Sequence, residues 1–305
     1  MRIGILGAGA VGGYYGGRLA QSGGDVRFLY RSEYEVVSRE GLRIESVDGN
    51  WHGPVDAFRE AREVGPCDAV LVSLKSAQSP LFAELLPPML APGGVAVCLM
   101  NGLGHEELLA GAVGRERVAA GAAFICSERG APGTVRHFGA GGLALAPYFE
   151  EGRERISRLC ADLGERFRKA GVPCQNPDDG LAVKWGKLVW NIPFSGLSIL
   201  AGGVTTDRIL DDPRLLSTAR ELMAEVLRAA AANGVVIDPQ SPERNISLTA
   251  RMGAYRPSML VDFQAGRPIE WEAIVAEPLR RGEAAGVPMP RTRELLEGIR
   301  RIAAA

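Results

Sequence analysis

Ile3-Gly4-Ile5-Leu6-Gly7-Ala8-Gly9-Ala10-Val11-Gly12 is the stretch that decides the fold. A short apolar run enters a glycine-rich turn, and a segment of helical character, residues 10–22, leaves it. The pattern GxGxxG carries little weight alone; between a strand and a helix it marks a loop that cradles a dinucleotide. Gly7 permits the tight turn, Gly9 lets backbone approach a pyrophosphate, and Gly12 lets the helix lie close on the strand. The helix N-terminus offers unpaired N–H groups and the positive end of its dipole to the phosphates. The same glycines, with Tyr14 and Tyr15, break the apolar continuity that a signal peptide would need.

Outward from this loop, apolar runs at residues 26–30, 69–74, 95–100, 118–125 and 143–146 are expected to be strands. Helical stretches at 79–90 and 106–113 lie among them. Such alternation predicts an α/β, Rossmann-type doubly wound parallel sheet covered on both faces. After an amphipathic helix at 153–170 and a proline-containing linker, long apolar-periodic stretches at 180–200, 213–233 and 268–285 predict an all-helical C-terminal domain. The boundary is placed near Asn176, giving a nucleotide-binding domain over residues 1–176 and a helical substrate and catalytic domain over residues 177–305.

The position after the second strand selects the cofactor. A carboxylate there would hold a ribose 2′-hydroxyl; Arg31 suits a 2′-phosphate instead, so NADP (as NADPH) is expected. The third and fourth strands run into Lys75 and Asn101. In an open α/β sheet the ligand crevice lies beyond the carboxyl ends of the strands, which directs both residues toward cofactor or substrate.

Residues 180–200 read as a helix apolar around most of its circumference, hence buried. Lys184, Lys187, Asn191, Ser195 and Ser198 recur along it at spacings of three and four, one polar stripe that requires something to meet. Pro193 is expected to kink or break this helix. Later, Pro268 is expected to open a helix with Glu270 and Glu272 in its first turn. Periodicity alone leaves Glu270 open between dipole compensation and catalysis.

Composition narrows the function classes. Apolar residues make up 46% and charged residues 23% of 305 residues, with a formal net charge of −1, so no nucleic-acid or membrane partner is expected. Five scattered cysteines and three histidines show no metal-ligand or redox spacing, which points to free thiols in the cytoplasm and to no metal.

The chain resembles the ketopantoate reductase (2-dehydropantoate 2-reductase) family almost end to end. The matching residues are the glycine loop, Ser73-Leu74-Lys75, Asn101-Gly102-Leu103-Gly104, and Lys184-Trp185-Gly186-Lys187-Leu188 with Asn191. Pro257-Ser258-Met259-Leu260, Asp262, Gly266-Arg267, Ile269-Glu270 and Gly286-Val287-Pro288-Met289-Pro290 follow. The resemblance implies reduction of 2-dehydropantoate to pantoate by NADPH, toward pantothenate and coenzyme A. It implies Lys187 as general acid, supported by Glu270, and substrate held by Asn191, Ser195, Thr205 and Ser258. The cofactor set is Gly7, Ala8, Gly9, Ala10, Val11, Gly12, Arg31, Lys75, Asn101, Ser127 and Glu270. Ser195 and Thr205 stand where the family often has asparagine, and Val275-Ala276 where it often has Asn-Gly. Alternatives are a reductase of a different small 2-keto acid and, more remotely, a non-enzymatic NADP-binding sensor. The expected partners are a small 2-keto acid and a second copy, as a homodimer through the helical domain.

Overall fold

The computed structural model describes residues 1–303 and divides into two compact units. The first comprises Met1–Met100 and His105–Val183; the second comprises Asn101–Gly104 and Lys184–Ala305. Asn176, the expected boundary, lies in the first unit, where its amide donates to the carbonyls of Cys160 (2.7 Å) and Leu145 (3.4 Å).

The first unit runs β1 (Arg2–Leu6), α1 (Ala10–Gln21), β2 (Asp25–Leu29), α2 (Tyr34–Glu40), β3 (Leu42–Ser46), β4 (Trp51–Gly53), β5 (Asp56–Phe58) and α3 (Ala61–Val64). It continues with β6 (Cys67–Val72), α4 (Phe82–Met89), β7 (Leu90–Cys98), α5 (His105–Val113), β8 (Val118–Arg129), β9 (Thr134–Pro147), α6 (Arg153–Lys169) and β10 (Cys174–Gln175). The strands form one sheet in the order β4-β3-β9-β8-β7-β6-β1-β2-β5, with β10 on β9. Its centre, β2-β1-β6-β7-β8, is parallel, and the inner strands are apolar because both faces are covered.

Two pairings depart from the all-parallel expectation. β8 and β9 form a long antiparallel hairpin, closed by Gly130 N–H on the Thr134 carbonyl (2.9 Å). A turn that short cannot carry the crossover a parallel pair needs. β3 and β4 are also antiparallel. β3 joins β9 through Thr134–His137, and this arm meets α1: a Cβ on Gly13 would sit 2.8 Å from Val135, and one on Gly17 2.7 Å from Ile44. The glycines of α1 therefore let sheet and helix backbones approach closely.

The second unit holds most of α7 (Gly180–Leu200), then α8 (Thr206–Asp211), α9 (Pro213–Ala232), α10 (Ser241–Ala250), α11 (Ser258–Gln264), a π-helical turn (Glu272–Ala276), α12 (Glu277–Ala284) and α13 (Pro290–Ala303). Pro193 does not break α7, which runs on to Leu200. Leu188, Val189, Ile192, Phe194, Leu197 and Ile199 are all buried around it, and packing on every side outweighs one missing backbone hydrogen bond. Gly196 faces Leu295 and Gly298 faces Leu200, so α7 and α13 lie backbone to side chain. Buried Glu225 of α9 caps α13, accepting the Arg291 and Thr292 N–H groups at 2.9 and 2.8 Å. Among the described residues no helix is long and apolar enough to cross a membrane.

Candidate active site

The glycine loop has the conformation its sequence demands. Gly7 has φ +99°, a region that disfavours any side chain, and a Cβ there would stand 2.7 Å from the Ser73 carbonyl carbon. A Cβ on Gly12 would meet the Gly7 oxygen at 2.4 Å. Gly9 differs, since a Cβ on it would meet nothing nearer than Arg129 Cδ at 3.9 Å. Gly9 is also the N-cap of α1, with no side chain capping the helix. An open backbone face at an uncapped helix N-terminus fits the pyrophosphate of a dinucleotide. Ala8, Ala10 and Val11 complete the loop.

The turn after β2 carries Arg31, exposed. Two carboxylates follow it, and neither is left for a ribose hydroxyl. Glu33 pairs with Arg129 through one oxygen and accepts the Gly133 N–H at 3.0 Å through the other. Glu35 pairs with Arg59. Neutralised acids beside an exposed arginine suit a phosphate better than a bare ribose.

Lys75 and Asn101 each stand three residues past a strand, because β6 and β7 end at Val72 and Cys98, two residues earlier than expected. Lys75 is exposed at the start of a 3₁₀ turn, Ser76–Leu81. Ser127 lies on β8, opposite His137.

The second unit brings Asn101, Lys184 and Glu270 to Lys187. Lys187 Nζ donates to Asn101 Oδ1 at 2.6 Å. Burial first, and then the positive charge of Lys184, bring the Lys187 ammonium down to about 7 against the opposing Glu270 carboxylate. Lys184, Asn191 and Glu270 are 3%, 5% and 8% exposed, and Ser195 and Ser198 are buried beside them on α7. A buried lysine that titrates near neutrality, with an anion and an amide in reach, can hand a proton to a developing alkoxide.

A second contact fixes this cluster. The Leu103 N–H donates to the Ala273 carbonyl at 3.0 Å, and Gly102 (φ +88°) lies against that residue so closely that a Cβ would sit 2.3 Å from the same oxygen. Ala273 belongs to the π-helical turn, whose wider winding releases carbonyls from the usual i−4 ladder. Asn101 is thus held by its neighbours where Lys187 meets it.

Glu270 is not in the first turn of a helix that starts at Pro268. Residues 267–270 are irregular and the helix starts at Trp271, with the Glu270 carbonyl accepting the Ile274 N–H at 3.2 Å. Arg267 holds the chain back, its Nε donating to Asp262 at 2.8 Å and its backbone N–H to the Asp262 carbonyl at 2.9 Å. The Asp262…Gly266-Arg267 part of the motif therefore shapes the turn that delivers Glu270. Ser258 is exposed at the start of α11. Thr205 is the N-cap residue of α8, and its hydroxyl donates to Asp207.

Sequence reasoning missed the Glu33–Arg129 pair and the hold of Ala273 on the Asn101–Gly104 segment. Neither has a local signal, because the partners are far apart in the chain.

Comparison with known proteins finds relatives for both halves of the chain. Residues 3–149 match the family described as ketopantoate reductase PanE/ApbA, and residues 179–303 match its C-terminal counterpart. A 2-dehydropantoate 2-reductase of Nostoc sp. is 36% identical over 94% of this chain and 90% of its own length. The crystal structure of 2-dehydropantoate 2-reductase from Geobacter metallireducens superimposes with a TM-score of 0.93 at 41% identity, covering 99% of both chains. That from Methylococcus capsulatus gives 0.89 at 32% identity, over all of this chain and 97% of the other. With both halves matched and relatives aligned nearly end to end, the chain belongs to the ketopantoate reductase family.

Proposed function

We propose that this chain is an NADPH-dependent 2-dehydropantoate 2-reductase that makes pantoate for pantothenate and coenzyme A synthesis. The observation that carries this reading is the Lys187–Asn101 hydrogen bond beside Glu270, on an ammonium brought down to about 7. The glycine loop and Arg31 would hold NADPH, with Lys75 and Ser127 along it. When bound, NADPH supplies the hydride that reduces the C2 ketone.

The chain's own residues supply position and a proton. Lys187 hydrogen-bonds the ketone oxygen, stabilises negative charge as it develops there, and transfers its proton to it. Asn101 orients the ammonium, and Glu270 offsets the repulsion from Lys184 so that the protonated form survives at neutral pH. Asn191, one turn along α7, holds the substrate's hydroxyl or carboxylate, assisted by Ser195, Ser258 and Thr205. Replacing Asn191 with alanine is expected to raise KM for the keto acid about tenfold, the scale of one lost hydrogen bond to a charged group, and to leave NADPH affinity close to the parent's. Titration with NADPH beside steady-state kinetics checks this; a matched loss of cofactor binding would move Asn191 out of the substrate set.

The direct test is NADPH oxidation by the purified protein with 2-dehydropantoate. Ser195, shorter than the asparagine common at this position, favours a second reading in which a different 2-keto acid is preferred, and a panel of keto acids separates the two. Tight NADPH binding with no turnover on any of them would point to a sensor. A cytoplasmic setting is part of the proposal and rests on five free cysteines, four of them buried. So is a homodimer through the helical unit, supported by the exposed Leu248 and Met252, with sedimentation as its check.

A further inference from the structure

Arg129 has so far served only to occupy Glu33, yet its surroundings are those of a ligand-facing cation. It ends β8 on the hairpin arm that meets α1. Its Cδ is the atom nearest to where a Cβ on Gly9 would stand, so the side chain reaches over the open face of the glycine loop. Its guanidinium pairs with Glu33, two residues beyond Arg31 on the turn that follows β2. Glu33 is fixed in turn by the Gly133 N–H and by its place at the start of α2. Arg129 is therefore tethered between the glycine loop and the end of β2, the two features that flank the adenosine ribose of a dinucleotide. Its charge is felt at Tyr30, the last residue before Arg31, where it pulls back part of the rise that burial gives the phenol.

The side chain is 56% exposed, and Glu33 engages one of its nitrogens. A guanidinium carries five N–H donors in a rigid fork, so donors remain for an incoming anion. Arg31 and Arg129 together, set against Glu33, leave a net positive charge at this spot. We propose that Arg129 is a second cofactor-specificity residue, a guanidinium held by Glu33 that binds the 2′-phosphate together with Arg31. This rests on the reading that the chain uses NADPH.

The proposal separates from a general phosphate-binding role. A residue serving the pyrophosphate would act equally on NADPH and NADH, whereas one serving the 2′-phosphate acts on NADPH alone. The experiment measures Kd for both cofactors by tryptophan-fluorescence quenching and calorimetry, in the parent and in Arg129→Ala, Arg129→Lys, Arg31→Ala and the double alanine variant. Arg129→Ala is expected to weaken NADPH about tenfold and NADH less than about twofold, with Arg129→Lys recovering part of the loss. The double variant is expected to bind the two cofactors alike. Equal weakening of both, or no change in either, overturns the proposal. Should Arg129→Ala fold poorly, Arg129→Lys and Arg129→Gln decide by the same ratio of Kd values. A parent that binds NADH as tightly as NADPH would bring down the NADPH reading itself. A parent that prefers NADPH, with that preference intact in Arg129→Ala, brings down only the assignment of Arg129.

Discussion

Lys187→Ala is expected to lower kcat for keto-acid reduction by about 10²–10⁴-fold, the range for losing a positioned general acid. NADPH binding should stay near the parent level, because the glycine loop belongs to the other unit. The pH profile provides the second readout. The proton donor is the ammonium, present below about 7 and lost as pH rises through that value. Parent kcat for reduction should therefore fall on the alkaline side of neutrality, and the variant should lack that limb. Oxidation of the hydroxy acid, which needs the free amine, should show the opposite trend. Lys184→Ala and Lys75→Ala are the comparison. The assignment fails if Lys187→Ala turns over normally while either of these abolishes activity. If all three variants remain active, the proton comes from water.

The second large effect is expected in the glycine loop, where two neighbouring substitutions should behave differently. Gly7→Ala places a side chain at φ +99° and 2.7 Å from strand-end backbone that cannot move aside. It should cost about 2–4 kcal/mol of stability and most of the NADPH affinity, more than about 100-fold in Kd. Gly9→Ala meets no atom closer than 3.9 Å, so the protein should fold and melt like the parent. Its new methyl group should still intrude where the pyrophosphate approaches and weaken NADPH and NADH alike. Thermal melts and cofactor titrations on the pair separate folding from binding. Unimpaired NADPH binding by both variants would show that this loop is not the cradle.

The readable parts of the fold were those whose burial is uniform. β1, β6 and β7 carry buried apolar runs because the sheet is covered on both faces there, while β2 alternates, with Val26 and Phe28 buried and Asp25 exposed; all four were visible to within a few residues. β3 was harder: Leu42 and Ile44 point in while Arg43 and Glu45 point out, a pattern too short to stand apart from a surface loop. β4 and β5 have three residues each and exist through their neighbours. β8 runs on through Ser127-Glu128-Arg129 because β9 pairs with it there, which no local propensity announces. Proline misled twice for one reason. Pro193 was expected to kink or break α7, which runs on unbroken, and Pro268 to begin a helix, which starts instead at Trp271; both are local preferences that contacts override, packing around α7 in one case and the Asp262–Arg267 pair in the other. Of the site, the Lys187–Asn191 stripe could be read because helical spacing is a local property. The Glu33–Arg129 pair joins residues 96 apart and only the folded chain reveals it.

The lowered titration of Lys187 also makes the catalytic group a burden on folding. The unfolded chain holds its proton up to about pH 10.4, the folded chain only up to about 7. Between those values the unfolded state binds more protons, so this group makes stability rise with pH, and below about 7 the whole penalty is present. Lys187→Met should therefore resist urea better than the parent at about pH 6, with the advantage shrinking as pH approaches 10. Trp185, Trp190 and Trp271 all lie in the second unit, so their fluorescence reports the unfolding that matters. A variant no more stable than the parent at either pH would mean that Asn101 and Glu270 already offset the full cost of enclosing the charge. With the expected gain, the helical unit is a fold kept below its own stability optimum by the residue that gives it an activity.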